Sequence, residues 1–237
     1  MKSIVFIPTL NEFGTIANLV ASIHQEHRNV DILVIDDNST DGTLDVLKRL
    51  KSDGLPLTII NRGSKLGIGS AHIEALNFAR DNSYDVLLSM DADGAHDPRF
   101  IVDFFREIQS SDVVVGSRYL SADSLSEWKS FRKGLTHTVH LVTRVLLGLK
   151  YDSSSGFRCY KVSTIPSTLF SDLRSTGYDF FFESMYELNS QNAKISEISI
   201  FLPARTYGHS KMTPKLALSA LKTLVYVSLR RIKRLGG

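Results

Sequence analysis

Short apolar runs alternate with amphipathic segments along the first half of the chain. Five short, largely apolar runs predict strands, over residues 4–7, 32–35, 57–60, 86–89 and 113–115. Apolar residues at helical spacing predict helices between them, over residues 11–27, 43–51, 68–80 and 98–110. Strands that alternate with helices are typical of βαβ units with right-handed crossovers. The pattern therefore predicts an α/β fold with a mostly parallel central sheet flanked by helices.

The pattern changes after Arg118, where strands become sparse. A helix is predicted over residues 132–149 and a strand near residues 195–202. Another helix is predicted to begin at Thr213-Pro214, because an N-cap residue followed by proline is a helix start signal. We expect a single domain in two halves followed by a basic amphipathic helix, with boundaries at 1–118, 119–212 and 213–237.

The composition is that of an ordinary globular protein, with 43% hydrophobic and 22% charged residues in 237. The single cysteine, Cys159, excludes an internal disulfide, and no signal peptide or transmembrane segment is recognisable. We therefore expect a cytoplasmic protein. Eight Lys and Arg residues but no Asp or Glu follow Glu197, which predicts an anionic partner, either nucleic acid or a membrane surface.

Two carboxylates separated by one residue, Asp91 and Asp93, follow the apolar run at 86–90. In open α/β sheets ligands bind at the carboxyl ends of strands, and alternate residues of an extended segment point to one side. The pair could therefore share one Mg²⁺ or Mn²⁺ whose remaining ligands are water and substrate phosphate. A solvated acidic turn is the alternative, because Asp is common in turns and at helix N-caps.

Further motifs surround this pair in a fixed order. They are Pro8-Thr9-Leu10-Asn11-Glu12, Asp36 to Thr43, Lys65 to Ala71, Gly116 to Tyr119, Ser155 to Arg158 and Arg205 to Lys211. Together, over about residues 4–212, they resemble inverting glycosyltransferases of family two, most closely the polyprenyl-phosphate sugar synthases of the dolichol-phosphate mannosyltransferase type. The resemblance implies a Rossmann-like glycosyltransferase A fold, with a nucleotide-sugar-binding half at 1–118 and an acceptor half at 119–212.

The resemblance also implies the donor site. Its nucleotide-binding positions correspond to Pro8, Glu12, Asp37, Lys65 and Asp91. Asp91 and Asp93 would bind the metal. A family glutamine that completes the metal shell is replaced by Ala95, so water or His96 would substitute, although His96 could instead cap the helix near Pro98. The glycines after Lys65 invite a dinucleotide-binding interpretation, which is discounted because His72 stands at the third glycine position.

On the acceptor side, the family positions that hold the acceptor phosphate correspond to Arg118, Arg132 and Thr136. Arginine suits this task because its planar fork of donors matches phosphate oxygens. Arg205 and Lys211 correspond to a loop that closes over the donor diphosphate. The implied catalytic residues are Asp91, Asp93, Arg205 and Lys211.

The resemblance predicts inverting transfer of a hexose from a GDP- or UDP-sugar to polyprenyl phosphate, with Mg²⁺ or Mn²⁺ as cofactor. A phosphate acceptor needs no general base, since a monoester with a second pKa of about 6 is already anionic at neutral pH. Transfer to a hydroxyl of a lipid-linked or cell-surface glycan is the alternative and would need a base, for which Glu183 and Asp179 are candidates. A non-enzymatic, nucleotide-sugar-binding accessory subunit is a third interpretation.

A lipid acceptor requires access to a membrane. Two apolar stripes at helical spacing are candidates, one with Leu135, Val139, Val142, Leu146 and Leu149, the other with Leu221, Leu224, Val225, Leu229 and Ile232. Such stripes usually face the core, but basic residues at the second could meet anionic headgroups. We expect peripheral attachment to the cytoplasmic face of a membrane, directly or through a membrane-protein partner. Nucleic acid is not expected, because the tail has little aromatic interleaving.

Overall fold

The computed structural model describes residues 1–170, 173–203 and 213–235. Within them, seven strands form one sheet in the order β3-β2-β1-β4-β6-β5-β7. The strands are β1 (Ser3–Thr9), β2 (Asp31–Asp36), β3 (Leu57–Asn61), β4 (Val86–Ser89), β5 (Val113–Ser117), β6 (Arg158–Lys161) and β7 (Ile195–Ser199). Neighbouring strands pair in parallel except at β6, which is antiparallel to both β4 and β5. The predicted mostly parallel sheet is confirmed.

Helices cover both faces of the sheet. They are α1 (Ile16–Glu26), α2 (Thr43–Ser52), α3 (Ile68–Asp81), α4 (Ile101–Glu107), α5 (Ser130–Leu147), α6 (Phe180–Ser190) and α7 (Pro214–Leu235). One buried cluster joins the sheet to α3, α6 and α7, and a second joins its other face to α1 and α4. The fold is therefore a three-layer arrangement with a core on each side of the sheet.

Three elements differ from the sequence-based expectation. The first helix begins at Ile16 rather than Asn11, because residues 11–15 form a turn in which Asn11 has a φ of 57°. The strand β6 was not predicted, since its run Arg158-Cys159-Tyr160-Lys161 has charged ends. Nor was α6, in which every residue from Phe180 to Leu188 is buried, so it has no polar face to give a helical periodicity.

The strand order determines where a ligand can bind. The chain leaves β1 for β2 on one side, and later returns to place β4 on the other side of β1. A crevice outside the carboxyl ends of strands opens at such a reversal. The turns after β1, β2 and β4 therefore meet at one edge, and the sequence places Glu12, Asp37 and Asp91 in those turns.

Candidate functional site

A cavity of about 250 Å³ opens at this edge of the sheet. It brings together Asp93 and all five residues predicted to bind the donor nucleotide, which are Pro8, Glu12, Asp37, Lys65 and Asp91. Its far wall comes from the segment before α6, with Gly177 and Tyr178, and from Leu216 of α7. The predicted donor residues therefore share one cavity, although they come from four separate turns.

Asp37 is buried beneath this cavity. Its carboxylate forms an ion pair with Arg62 and accepts a hydrogen bond from the Gly67 N–H at 2.9 Å. Arg62 in turn donates to Ser70 Oγ at 2.6 Å and to the Gly67 carbonyl at 2.9 Å. Arg62 lines the cavity but was not identified from the sequence, where it is one ordinary basic residue after a strand. The pair fixes the turn that carries Lys65 against the turn after β2.

The glycines of that turn allow a close approach to the segment before α6. The N–H of Gly69 donates to the Thr176 carbonyl at 2.8 Å, and a Cβ at Gly69 would lie 2.7 Å from Phe180 Cβ. Gly67 has a φ of 97°, a conformation that favours glycine, and a Cβ there would collide with the Thr176 carbonyl. Close backbone packing therefore accounts for both glycines, and a dinucleotide-binding role is not needed to explain them.

His96 makes two contacts with Asp91. Its Nδ1 accepts a hydrogen bond from the Asp91 N–H at 2.8 Å, and its Nε2 lies 3.9 Å from Asp91 Oδ2. The buried ring stacks on Phe157, with 4.4 Å between ring centroids. Burial lowers the pKa of His96 in spite of the charges on Asp91 and Asp93, so the ring is neutral, with its proton on Nε2. His96 therefore fixes the backbone of Asp91, whereas Asp97 caps the following helical turn by accepting from the Arg99 N–H.

Asp91 and Asp93 suit a hard divalent cation. Both are partly exposed to the cavity, and Asp93 Oδ1 accepts the Ala95 N–H at 3.1 Å. Among the residues that the structure describes, no group of three or more His, Cys, Asp or Glu side chains is arranged to hold a metal. Mg²⁺ typically binds through one or two carboxylates and completes its shell with water and phosphate, so two carboxylates are a sufficient protein contribution.

Arg118 is held at the carboxyl end of β5 by a buried carboxylate. Its Nε and Nη2 donate to the two oxygens of Asp152 at 2.8 Å and 2.6 Å, and Ser154 Oγ also contacts Nη2. Burial opposes the charge of Arg118, but Asp152 outweighs it and raises the pKa of the guanidinium above its usual value. The charge on Asp91 acts in the same direction, so the predicted acceptor arginine and donor carboxylate influence each other electrostatically.

The other predicted acceptor residues lie on α5. Tyr119 Oη donates to the Thr136 carbonyl at 3.1 Å, which joins the residue after Arg118 to the helix. Arg132 is exposed in the first turn of α5, where its guanidinium lies over the Trp128 ring with Cζ 3.6 Å from the ring centroid. The remaining two predicted catalytic residues, Arg205 and Lys211, lie outside the described residues.

The two candidate general bases have other partners. The buried carboxylate of Glu183 accepts the N–H groups of Arg174 and Ser175 and the Ser175 hydroxyl. Asp179 accepts hydrogen bonds from Ser219 and Thr223 of α7, at 3.2 Å and 2.7 Å. Neither carboxylate lines the cavity. Both hold segments of the chain together, which does not favour a role as base.

Two long helices expose an apolar surface beside the predicted acceptor residues. Arg231 of α7 donates to the carbonyls of Val145 and Leu146, so α7 lies against the end of α5. Large apolar side chains are exposed on both helices, and we call this set the α5–α7 apolar face: Phe131, Leu135, Val139, Leu141, Val145, Leu146, Leu218, Leu221, Val225, Leu229 and Ile232. Two members of the predicted stripes are directed inward instead, because Leu149 is buried and Leu224 packs against the core. In the described ranges, we find no helix with the length and apolarity needed to span a bilayer.

The fold and sequence both have close parallels among known proteins. In structure, the chain is similar to glucosyl-3-phosphoglycerate synthase from Mycobacterium tuberculosis, solved with Mg²⁺ and uridine diphosphate, with a TM-score of 0.67 at 18% identity. The match covers 96% of this chain and 79% of that one. A structure of the same enzyme with Mn²⁺, UDP-glucose and phosphoglyceric acid matches with the same TM-score at 20% identity. These neighbours show a shared fold.

In sequence, the chain is 29% identical over 214 residues to undecaprenyl-phosphate mannosyltransferase of Micrococcus luteus, covering 90% of this chain and 88% of that one. It is 30% identical over 215 residues to polyprenol monophosphomannose synthase of Mycolicibacterium smegmatis, covering 90% and 81%. The family model for glycosyl transferase family 2 matches residues 4–170. The chain is therefore a glycosyltransferase and belongs to glycosyl transferase family 2.

Proposed function

We propose that this glycosyltransferase moves a hexose from a GDP- or UDP-sugar to polyprenyl phosphate with inversion at the anomeric carbon. The observation that carries the proposal is the cavity that joins Asp91 and Asp93 to Asp37 and Lys65, with Arg118 in electrostatic reach. The relatives named for undecaprenyl-phosphate and polyprenol mannosyl transfer support this acceptor. The structural neighbours that contain UDP and a divalent cation support a nucleotide donor.

On the donor side, Asp91 and Asp93 would hold Mg²⁺ or Mn²⁺, which when bound offsets charge on the departing nucleoside diphosphate. His96 fixes the backbone of Asp91 by accepting its N–H at 2.8 Å. Lys65 lies at the same cavity and would add a positive charge near the diphosphate. Pro8, Glu12 and Asp37 would form the nucleoside end of the site.

On the acceptor side, Arg118, Arg132 and Thr136 would bind the lipid phosphate and present one of its oxygens to the anomeric carbon. That oxygen is already anionic at neutral pH, so no side chain has to remove a proton. Glu183 and Asp179 are both committed to hydrogen bonds within the fold, which fits a phosphate acceptor better than a hydroxyl acceptor. Because both carboxylates already hold segments of the fold together, polyprenyl phosphate is favoured as the acceptor over a glycan hydroxyl.

The α5–α7 apolar face would rest on the membrane that contains the lipid. It includes Phe131 and Leu135, which flank Arg132 on α5, so the acceptor phosphate would be met at the bilayer surface. Arg230 and Arg234 pair with Glu187 rather than pointing to headgroups, whereas Lys222 and Lys233 are exposed. Apolar burial would therefore contribute more than charge to peripheral binding at the cytoplasmic face. A membrane-protein partner stays a prediction.

The proposed reaction is tested by incubating the protein with radiolabelled UDP- and GDP-hexoses, Mg²⁺ or Mn²⁺, and polyprenyl phosphate in detergent. We expect label in the organic phase with one donor, and loss of that label when EDTA removes the metal. Hydrolysis of the donor without lipid product would favour a hydroxyl acceptor. No turnover and no binding with any donor would refute an enzymatic role for this site.

Membrane binding is tested by replacing two exposed residues of α7 together, Val225→Glu and Leu229→Glu. Each buried apolar side chain contributes about 1.5 kcal/mol or more, so we expect vesicle affinity to fall by about 100-fold or more. Co-sedimentation with vesicles that contain anionic lipid measures this. Val102→Glu is the matched control, because Val102 is equally exposed on α4, whose buried side belongs to the other core. Equal binding by both variants would show that the α5–α7 apolar face does not contact lipid.

A further inference from the structure

Trp128, the single tryptophan of the chain, is fixed just before α5, which begins at Ser130. Its indole N–H donates to the Leu202 carbonyl at 3.1 Å, and its backbone N–H donates to the Leu125 carbonyl at 3.0 Å. The ring also packs against the core on the α1 and α4 side of the sheet. Since Leu202 is itself buried and donates to the Ser124 carbonyl, the ring lies on an ordered platform.

Arg132 lies over this ring, four residues after Trp128 and in the first turn of α5. Its Cζ is 3.6 Å from the ring centroid, which is the geometry of a cation–π contact. An exposed arginine otherwise has many rotamers, and ordering them on ligand binding lowers affinity. The ring contacts the face of the guanidinium, while the N–H donors lie in its plane, so stacking is compatible with phosphate binding through the same side chain.

We propose that Trp128 is a positioning residue for the acceptor phosphate, which acts by holding the guanidinium of Arg132 in its binding orientation. The proposal rests on the proposed function, in which Arg132 binds the phosphate of the lipid acceptor. Trp128 belongs to none of the motifs that the sequence analysis identified. Trp128 itself touches no reacting atom, so its effect is confined to the acceptor.

The substitution Trp128→Leu removes the stacked ring. A cation–π contact at an exposed site corresponds to about a 2- to 5-fold change in affinity, so we expect the KM for polyprenyl phosphate to rise by about that factor. The KM for the nucleotide sugar should stay unchanged, since Trp128 does not line the donor cavity. Phe78→Leu is the control, because it also replaces an aromatic ring by leucine. Phe78 lies at the far end of α3, where its ring contacts Tyr84.

Trp128→Phe separates the stack from the hydrogen bond to Leu202. Phenylalanine keeps an aromatic face under Arg132 but has no N–H to donate to the Leu202 carbonyl. We expect the KM of Trp128→Phe for polyprenyl phosphate to lie close to the native value and below that of Trp128→Leu. Its kcat should stay close to the native value. A Phe variant as impaired as the Leu variant would overturn the proposal, because the hydrogen bond would then be the important contact. Thermal unfolding of each variant checks that the fold is retained.

Because the chain has one tryptophan, its fluorescence reports on the same contact without turnover. Titration of the native protein with a short-chain polyprenyl phosphate should change the emission of Trp128, and the matching alcohol without phosphate should not. Arg132→Ala should abolish the response. Transfer by the native enzyme with an unchanged acceptor KM in Trp128→Leu would refute this proposal alone. Failure of the native enzyme to bind or use any polyprenyl phosphate would refute the proposed function first.

Discussion

Replacing Asp93 by Asn is expected to lower the rate of hexose transfer by about 100-fold or more, because loss of one group that stabilises transition-state charge typically has this effect. The amide is nearly isosteric with the carboxylate, and its oxygen can still accept the Ala95 N–H. The fold should therefore be retained while the negative charge offered to the proposed divalent cation is lost. Initial rates at saturating donor, measured over a range of Mg²⁺ and Mn²⁺ concentrations, test the prediction.

Asp97→Asn is the matched control for Asp93→Asn. Asp97 lies four residues later, caps the next helical turn and forms an exposed ion pair with Arg99. It does not line the cavity, so its substitution should leave the transfer rate within about twofold, in keeping with the small contribution of exposed ion pairs. Equal activity of the Asp93→Asn and native enzymes at all metal concentrations would mean that Asp93 has no part in catalysis.

The parts of the fold that the sequence predicted are those with a continuous local signal. The buried strands β1 and β4 each contain a run of three or four apolar residues, and α2 and α3 have one apolar face each. β6 has charged residues at both ends, and Arg158 is completely buried there through hydrogen bonds to three backbone carbonyls and a serine. The burial of Arg158 depends on partners brought together by the tertiary fold, so the local sequence pattern does not predict it.

The candidate site likewise contains residues that lie in recognisable motifs and residues whose role depends on distant partners. The donor residues were predicted from the family resemblance, whose motifs lie in turns after strands, where ligands of open α/β sheets bind. Arg62 and Asp152 were missed, because their importance comes from partners that are distant in sequence, Asp37 and Arg118. The sequence around Asp152 predicts a polar turn, and only the fold places its carboxylate in the interior.

Asp152→Asn should be among the most destabilising single substitutions near the predicted acceptor residues. Asp152 is completely buried, and its two carboxylate oxygens bind the Arg118 guanidinium. Removing one partner of a buried ion pair leaves the other charge uncompensated, which costs about 3–5 kcal/mol. For a chain of this size we expect the Tm to fall by roughly 6–20 °C. Calorimetry at neutral pH measures the change.

The pH dependence of this effect has a definite sign. Although burial alone would raise it, the charge and hydrogen bonds of Arg118 hold the pKa of Asp152 below its unfolded value of 3.8. The stabilisation is therefore complete at neutral pH and is lost as the pH falls through the depressed folded value. The Tm difference between the native protein and Asp152→Asn should accordingly be largest near neutral pH and should disappear below about pH 4, where Asp152 itself becomes protonated.

Two further variants isolate the uncompensated charge as the cause of the destabilisation. Asp103→Asn removes an exposed carboxylate that pairs with Arg106 on α4, and surface pairs contribute about 0–1 kcal/mol, so its Tm should change by a few degrees at most. Adding Arg118→Met to Asp152→Asn removes the stranded charge and should recover a large part of the lost stability, although acceptor binding should then be lost. A double variant no more stable than Asp152→Asn would show that the carboxylate matters through its hydrogen bonds to the loop at residues 152–154, not through the charge of Arg118.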